Sequence, residues 1–127
     1  MENLFEKTKH FLSVCDGAHE TCKGLHWGAE RHSEHILTDD IDGAILGYQD
    51  KIAEVVMGLT GQKYQVGDLK ALVGSSKDCK SFLSELESDV ISYKKELGGD
   101  VRMDAIKNIL DDFASDIAKW KYLATFI

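Results

Sequence analysis

An all-α fold is what this chain predicts: four helices bundled around one core, with a long crossover between the second and third that carries a short helix of its own. Three observations lead there. Apolar residues recur every three or four positions through four separate segments, the pattern of a helix with one buried face. Proline is absent from all 127 residues, so nothing interrupts a long helix. Glycine and polar residues instead gather between the segments, at 28–33, 61–78 and 98–99.

The first helix reads from 2 to 27, with Leu4, Phe5, Phe11, Leu12, Cys15, Ala18, Cys22 and Leu25 on its apolar face. Gly17 and Gly24 weaken it by up to about 1 kcal/mol each unless close packing needs them. Cys15, His19, Cys22 and His26 step along one stripe of this helix. That stripe reads either as a zinc or copper ligand ladder or, the favoured reading for Cys15, His19 and Cys22, as small thiols and a histidine lining a core. A tight turn follows over 28–33, with Ser33 as N-cap of the second helix and Glu34 in its first turn.

The second helix starts at Ser33 and carries Ile36, Ile41, Ala44, Ile45, Ile52, Val55, Val56 and Leu59 at helical spacing. Residues 61–78 form the crossover that a bundle needs when its chain must return from one end to the other. Asp68 to Leu72 is the expected short helix within it. The third helix runs from about Cys79 to Leu97 and stops at Gly98 and Gly99; the fourth runs from about Val101 to the terminus, with Ile106, Ile109, Leu110, Phe113, Ile117, Trp120 and Ala124 on its face.

One domain is expected at this length. The chain is 43% hydrophobic and 29% charged, the balance of a water-soluble protein. No apolar run approaches the roughly 18 residues a membrane helix needs, and the start lacks the basic and apolar regions of a signal peptide. A cytoplasmic location is the default expectation. Three cysteines at loose helical spacings do not form a disulfide framework and read as reduced. A formal charge of −7 argues against general affinity for nucleic acid, which rests on basic patches.

The chemistry concentrates in residues 26–54. His35 and Asp39 lie four apart, as do Asp50 and Glu54, so each pair occupies one face a turn apart. Each pair is a chelating clip. The clips are fifteen residues apart, roughly 22 Å along a helix, while metal–ligand bonds are only about 2.0–2.2 Å. No single metal can touch both clips of one helix. Two antiparallel copies related by a twofold axis would set His35 and Asp39 of one against Asp50 and Glu54 of its mate, a shared site at a symmetric interface. His26, with Trp27 beside it, is placed on the preceding helix to complete the coordination. His32 is the rival of His35, but only His35 has a carboxylate four residues on in register with the second clip.

The order Leu25-His26-Trp27, a turn, His35-x3-Asp39 and, eleven residues later, Asp50-x3-Glu54 within DKIAE resembles the mini-ferritins, the Dps family of DNA-binding proteins from starved cells. The closing DIAKWKYLATFI is similar to the last helix of that family. In two places the chain departs from the pattern: the segment from His26 to His35 is about three residues shorter than the family's, and Val55 stands where arginine is common. The resemblance implies a ferritin-like bundle whose crossover helix lies near the dimer axis. It implies a homo-oligomer, a hollow dodecamer, with ferroxidase sites between twofold-related subunits.

The chemistry, too, is an implication of the resemblance. Each inter-subunit site would bind two ferrous ions through His26, His35, Asp39, Asp50 and Glu54, with Glu54 as bridge, and zinc is the possible substitute metal. Hydrogen peroxide or dioxygen would oxidise Fe(II) to Fe(III) for storage inside the shell, protecting against oxidative damage. Trp27 would act as an electron donor beside the site, with simple packing as its plainer role. An intrachain di-iron site is disfavoured because no histidine follows His35, and Asp111, Asp112 and Asp116 read as solvated. Three alternatives stay open. The first is a ferritin-like structural oligomer that has lost metal chemistry and uses the clips as salt bridges; the second, a zinc-only structural site. The third, less favoured for an acidic chain whose start and end offer no basic tail, is a DNA-binding protein.

Overall fold

In the computed structural model, which describes residues 2–127, the four segments are four helices: α1 Leu4–Trp27, α2 His32–Thr60, α3 Cys79–Glu96 and α4 Asp104–Leu123. Short 3-10 turns at Val101–Met103 and Ala124–Phe126 lead into and out of α4. No strand occurs among the described residues.

The helices pack in the cyclic order α1, α2, α4, α3, with α1 and α2 the most intimate pair. Side-chain pairing fixes their directions. Lys7 reaches the Glu96 carbonyl and Thr8 bonds Tyr93, so α1 and α3 are antiparallel. Lys94 pairs with Asp111 and Lys121 with Glu87, so α3 and α4 are antiparallel too. Because α1 and α2 are joined by a short turn and run oppositely, α2 and α3 are parallel, and the chain must travel the length of the bundle between them.

The core is the inner faces of all four helices: Phe11, Leu12, Cys15 and Cys22; Ile41, Ile45, Ile52 and Val56; Phe82, Leu83, Leu86 and Val90; Ile106, Leu110, Phe113 and Ile117, each nearly or fully buried. Burying a side chain of this size contributes about 1.5–3 kcal/mol, and it is this, more than helix propensity, that holds the elements. Glycine ends α2 as the pattern requires: Gly61 has φ 71° and its N–H reaches back to the Met57 carbonyl. Gly98, also left-handed at φ 72°, follows the end of α3, where the Leu97 N–H reaches back to the Lys94 carbonyl.

Two local expectations are corrected. The N-cap position of α2 is Arg31 rather than Ser33: Arg31 is extended and its carbonyl takes the His35 N–H, so the helix starts at His32. The crossover contains no helix. Gln65 to Asp68 is instead a turn, closed by the Asp68 carboxylate on the Gln65 N–H at 2.7 Å and by Asp68 N–H on the Gln65 carbonyl, with Gly67 at φ 91°. The chain beyond it is captured by α1. Lys70 N–H donates to the Ser13 hydroxyl and Leu72 N–H to the Ser13 carbonyl, so the strap lies extended along the helix. It fits only because Gly17 has no side chain: a Cβ there would sit 1.9 Å from the Leu72 carbonyl oxygen. Asp78 then caps α3, its carboxylate accepting from the Ser81 N–H at 2.9 Å, a bond that holds its pKa below the ordinary carboxylate range.

Candidate metal site

The turn between α1 and α2 folds the end of one helix against the start of the next, and this brings His26 onto His35. Their rings stack with centroids 3.7 Å apart and planes 18° apart. The two residues bond reciprocally: His26 Nδ1 lies 2.7 Å from the His35 carbonyl oxygen, and His35 Nδ1 lies 3.0 Å from the His26 carbonyl oxygen. A carbonyl only accepts, so each Nδ1 carries the proton. In the neutral imidazole each Nε2 is then an unprotonated lone pair, the form that binds a metal, with the ring held by its own backbone partner. His32 is exposed, its ring 6.3 Å from that of His35 and without such an anchor.

The same seam continues down the α1–α2 contact. His19 Nδ1 lies 2.6 Å from Asp42 Oδ1, and the Gln49 amide donates to the Leu12 carbonyl at 2.9 Å and to Asp16 Oδ1 at 2.7 Å. Leu12, His19 and His26 thus meet Gln49, Asp42 and His35 in turn, a rung every seven residues on each helix. Sequence reasoning missed both Asp42 and Gln49. The signal available was their spacing, which places both on the face of α2 that also carries His35.

His19 is therefore held by a carboxylate, not set in a ladder of thiolates. Cys15 and Cys22 are fully buried free thiols. Burial, and then the charges of Asp16 and Asp89 for Cys15 and of Asp42 for Cys22, push the pKa of both thiols far up from its ordinary value. Burial pushes the Cys79 thiol up to about 11. None is a thiolate near neutral pH, and Cys15 and Cys22 line the core. Of the acidic residues on α4, Asp111 and Asp112 are exposed, while Asp116 accepts a hydrogen bond from the Tyr48 hydroxyl.

Asp39, Asp50 and Glu54 are exposed along the outer stripe of α2. Ile36, Gly43, Leu46 and Gly47 share that stripe; Ile36 and Leu46 are exposed, and a Cβ at either glycine would meet no atom within 4 Å. Trp27, at the end of α1, is 75% exposed, with the Lys23 ammonium 5.8 Å from its ring. The fold thus joins His26 to His35, leaves Asp39 one turn further along α2, and leaves Asp50 and Glu54 along the same helix. Among the described residues, no three or more His, Cys, Asp or Glu side chains of one chain converge to hold a metal ion. Among the described residues no helix is long and apolar enough to cross a membrane. No family of known proteins, no curated protein and no solved structure matches the chain.

Proposed function

We propose that this chain is a Dps-like iron-binding and iron-storage protein that works as a homo-oligomer, with ferrous ions as its substrate. The observation that carries the reading is the reciprocal anchoring of His26 and His35, which holds both rings through Nδ1 and leaves Nε2 of each as the nitrogen to offer a metal at the start of α2. Polar groups spent in this way on orienting imidazoles are what a metal site needs and what a packing contact does not.

The outer stripe of α2 supports the second half of the site. If two copies pair antiparallel through α2 about a dyad, His35 faces the partner's Glu54 and Asp39 faces the partner's Asp50. In that same register Gly43 faces the partner's Leu46, a side chain set opposite an open glycine on both sides of the axis. Two imidazoles and three carboxylates then meet at each of two equivalent sites. That mixed nitrogen and oxygen set suits Fe(II), which takes five or six ligands of this kind, and it also accepts Zn(II).

Glu54, with two carboxylate oxygens, is the residue able to bridge two ferrous ions, and His26, His35, Asp39 and Asp50 are the end ligands. Each ferrous ion gives up one electron. Hydrogen peroxide takes the pair with two protons and leaves as water, or dioxygen serves as the acceptor, and the ferric product passes into a hollow assembly such as a dodecamer. The acidic charge of −7 favours attraction of cations over binding of nucleic acid.

The test is to measure the size of the assembly and then titrate it with Fe(II), following ferric absorbance, for the parent and for Asp50→Ala plus Glu54→Ala. The parent binds and oxidises Fe(II), and the double variant loses both. Parent-like oxidation by the double variant would remove the site. Assembly without ferrous binding would leave a structural oligomer, and elemental analysis that finds only zinc would leave a structural zinc site.

A further inference from the structure

The strap that leads from α2 to α3 is held down by few bonds and little packing. Leu72 and Val73 remain 47% and 59% exposed, so the strap hides little apolar surface of its own. Its fasteners on α1 are the bonds from the Lys70 and Leu72 amides to Ser13; on α3 the Ser76 hydroxyl donates to Glu85 Oε2 at 2.7 Å. The Glu85 carboxylate lies against the chain at Gly74, where a Cβ would fall 1.5 Å from its oxygen. A segment tied this lightly opens well before a bundle unfolds.

Under the strap sits a pair of like charges. Leu72 and Gly74 join α1 and α3 around a hollow of about 10 Å³, room for about one water molecule. Among the described residues that line it, only Glu85 and Asp89, one turn apart on α3, are charged. Like charges at that spacing repel, and a space that holds a single water does not hydrate two carboxylates. From α1 the titratable groups that act on Asp89 are His10 and the Cys15 thiol. Burial first, and then Glu85, raise the Asp89 pKa, and His10 opposes them. Phe82 and Leu86, both buried, line the same hollow from α3.

We infer that residues 69–77 are a pH-operated latch: acid holds the strap down on α1 and α3, and ionisation of Asp89 beside Glu85 loosens it. Lifting the strap admits water to both carboxylates and bares the groove between α1 and α3 at Phe82 and Leu86. A carboxyl that the closed strap keeps from water favours closure fully below the ordinary carboxylate range, and that preference is lost as pH rises through its raised value. Opening breaks the bonds to Ser13, so the Leu72 N–H is then free to exchange.

Hydrogen exchange of the full chain, corrected for the intrinsic rate at each pH, reads the latch at the Leu72 amide against that of Leu110, a core residue of α4. Leu72 is expected to be about 100-fold less protected than Leu110, and its protection falls as pH rises from the carboxylate range to about pH 8. Asp89→Asn removes that fall and keeps Leu72 at its acid level throughout, while His10→Gln leaves the fall in place. Should Asp89→Asn not fold, carbon NMR titration of the Asp89 carboxyl in Gly17→Ala, whose strap cannot lie flat, gives a lower value than in the parent. Protection at Leu72 that stays flat while that at Leu110 falls with pH would mean that Asp89 stays buried when the strap lifts, and would overturn the latch. Equal protection at the two amides, a fall that survives Asp89→Asn or vanishes with His10→Gln, or an Asp89 carboxyl that titrates alike in Gly17→Ala and the parent would overturn it too.

Discussion

Replacing Gly17 and Gly24 by alanine should move stability in opposite directions, although both are glycines within α1. At Gly24 a Cβ would meet nothing within 4 Å, so alanine only improves helix propensity, by about 0.5–1 kcal/mol. At Gly17 the same methyl would lie 1.9 Å from the Leu72 carbonyl oxygen and 2.3 Å from its carbon. These are backbone atoms, so the strap has to lift. Lifting it breaks the bonds from Leu72 N–H to the Ser13 carbonyl (3.0 Å) and from Lys70 N–H to the Ser13 hydroxyl (3.3 Å). Each contributes about 0.5–1.5 kcal/mol, and residual crowding costs about 1–3 kcal/mol. After the gain in propensity, Gly17→Ala comes out destabilised by about 1–5 kcal/mol. For a chain of this length that is about 3–5 °C of Tm per kcal/mol. Urea unfolding of both variants, with hydrogen exchange at the Leu72 amide, reads the effect. Equal stabilisation by both substitutions, or unchanged protection of Leu72 in Gly17→Ala, would refute the account of the strap.

Three further outcomes rest on single contacts. Gly43→Gln has free space in one chain and none across the proposed dyad, so it should stabilise the monomer by about 1 kcal/mol while abolishing assembly and ferrous binding. Burial first, and then the charge of Glu85, raise the pKa of the Asp89 carboxyl above the ordinary range, against a smaller opposing pull from His10. A raised folded value means the stability is full below the unfolded carboxylate range and is lost as pH rises through the folded value. Asp89→Asn should therefore raise Tm at pH 7, with the gain vanishing in acid. Thr8 and Tyr93 share a buried hydroxyl bond of 2.7 Å, so Thr8→Val strands the tyrosine oxygen and costs about 1–3 kcal/mol. Tyr93→Phe in the same chain should return part of that loss, as a double-mutant cycle of unfolding would show.

What the sequence made legible was whatever depends on neighbours along the chain. The apolar period placed all four helices close to their observed ends, and Gly98 marked the end of α3 because a left-handed residue is written into the sequence as glycine. The strap was misread for the converse reason. Asp68 to Leu72 has a helix-compatible pattern, but its conformation is decided by Ser13 and Gly17, which lie far away in sequence: Ser13 takes its amides and Gly17 gives it room. The same holds at the candidate site. Residue types and spacing picked out His26 and His35, whereas their stacking and their exchange of carbonyls, like the hold of Asp42 on His19, depend on how α1 lies against α2. The outer carboxylates of α2 are exposed, so their spacing carries as much about them as the folded chain does.

Every sulfhydryl in the molecule is locked behind a helix, and this makes the protein its own stopwatch. Cys79 opens α3, where ends fray, while Cys15 lies midway along α1 with its side chain in the core. An alkylating reagent reaches neither until its helix gives way, so the order in which the cysteines react ranks how readily each part of the bundle breathes. If the proposed reaction with peroxide holds, the same burial keeps the thiols out of its reach for as long as the chain stays folded.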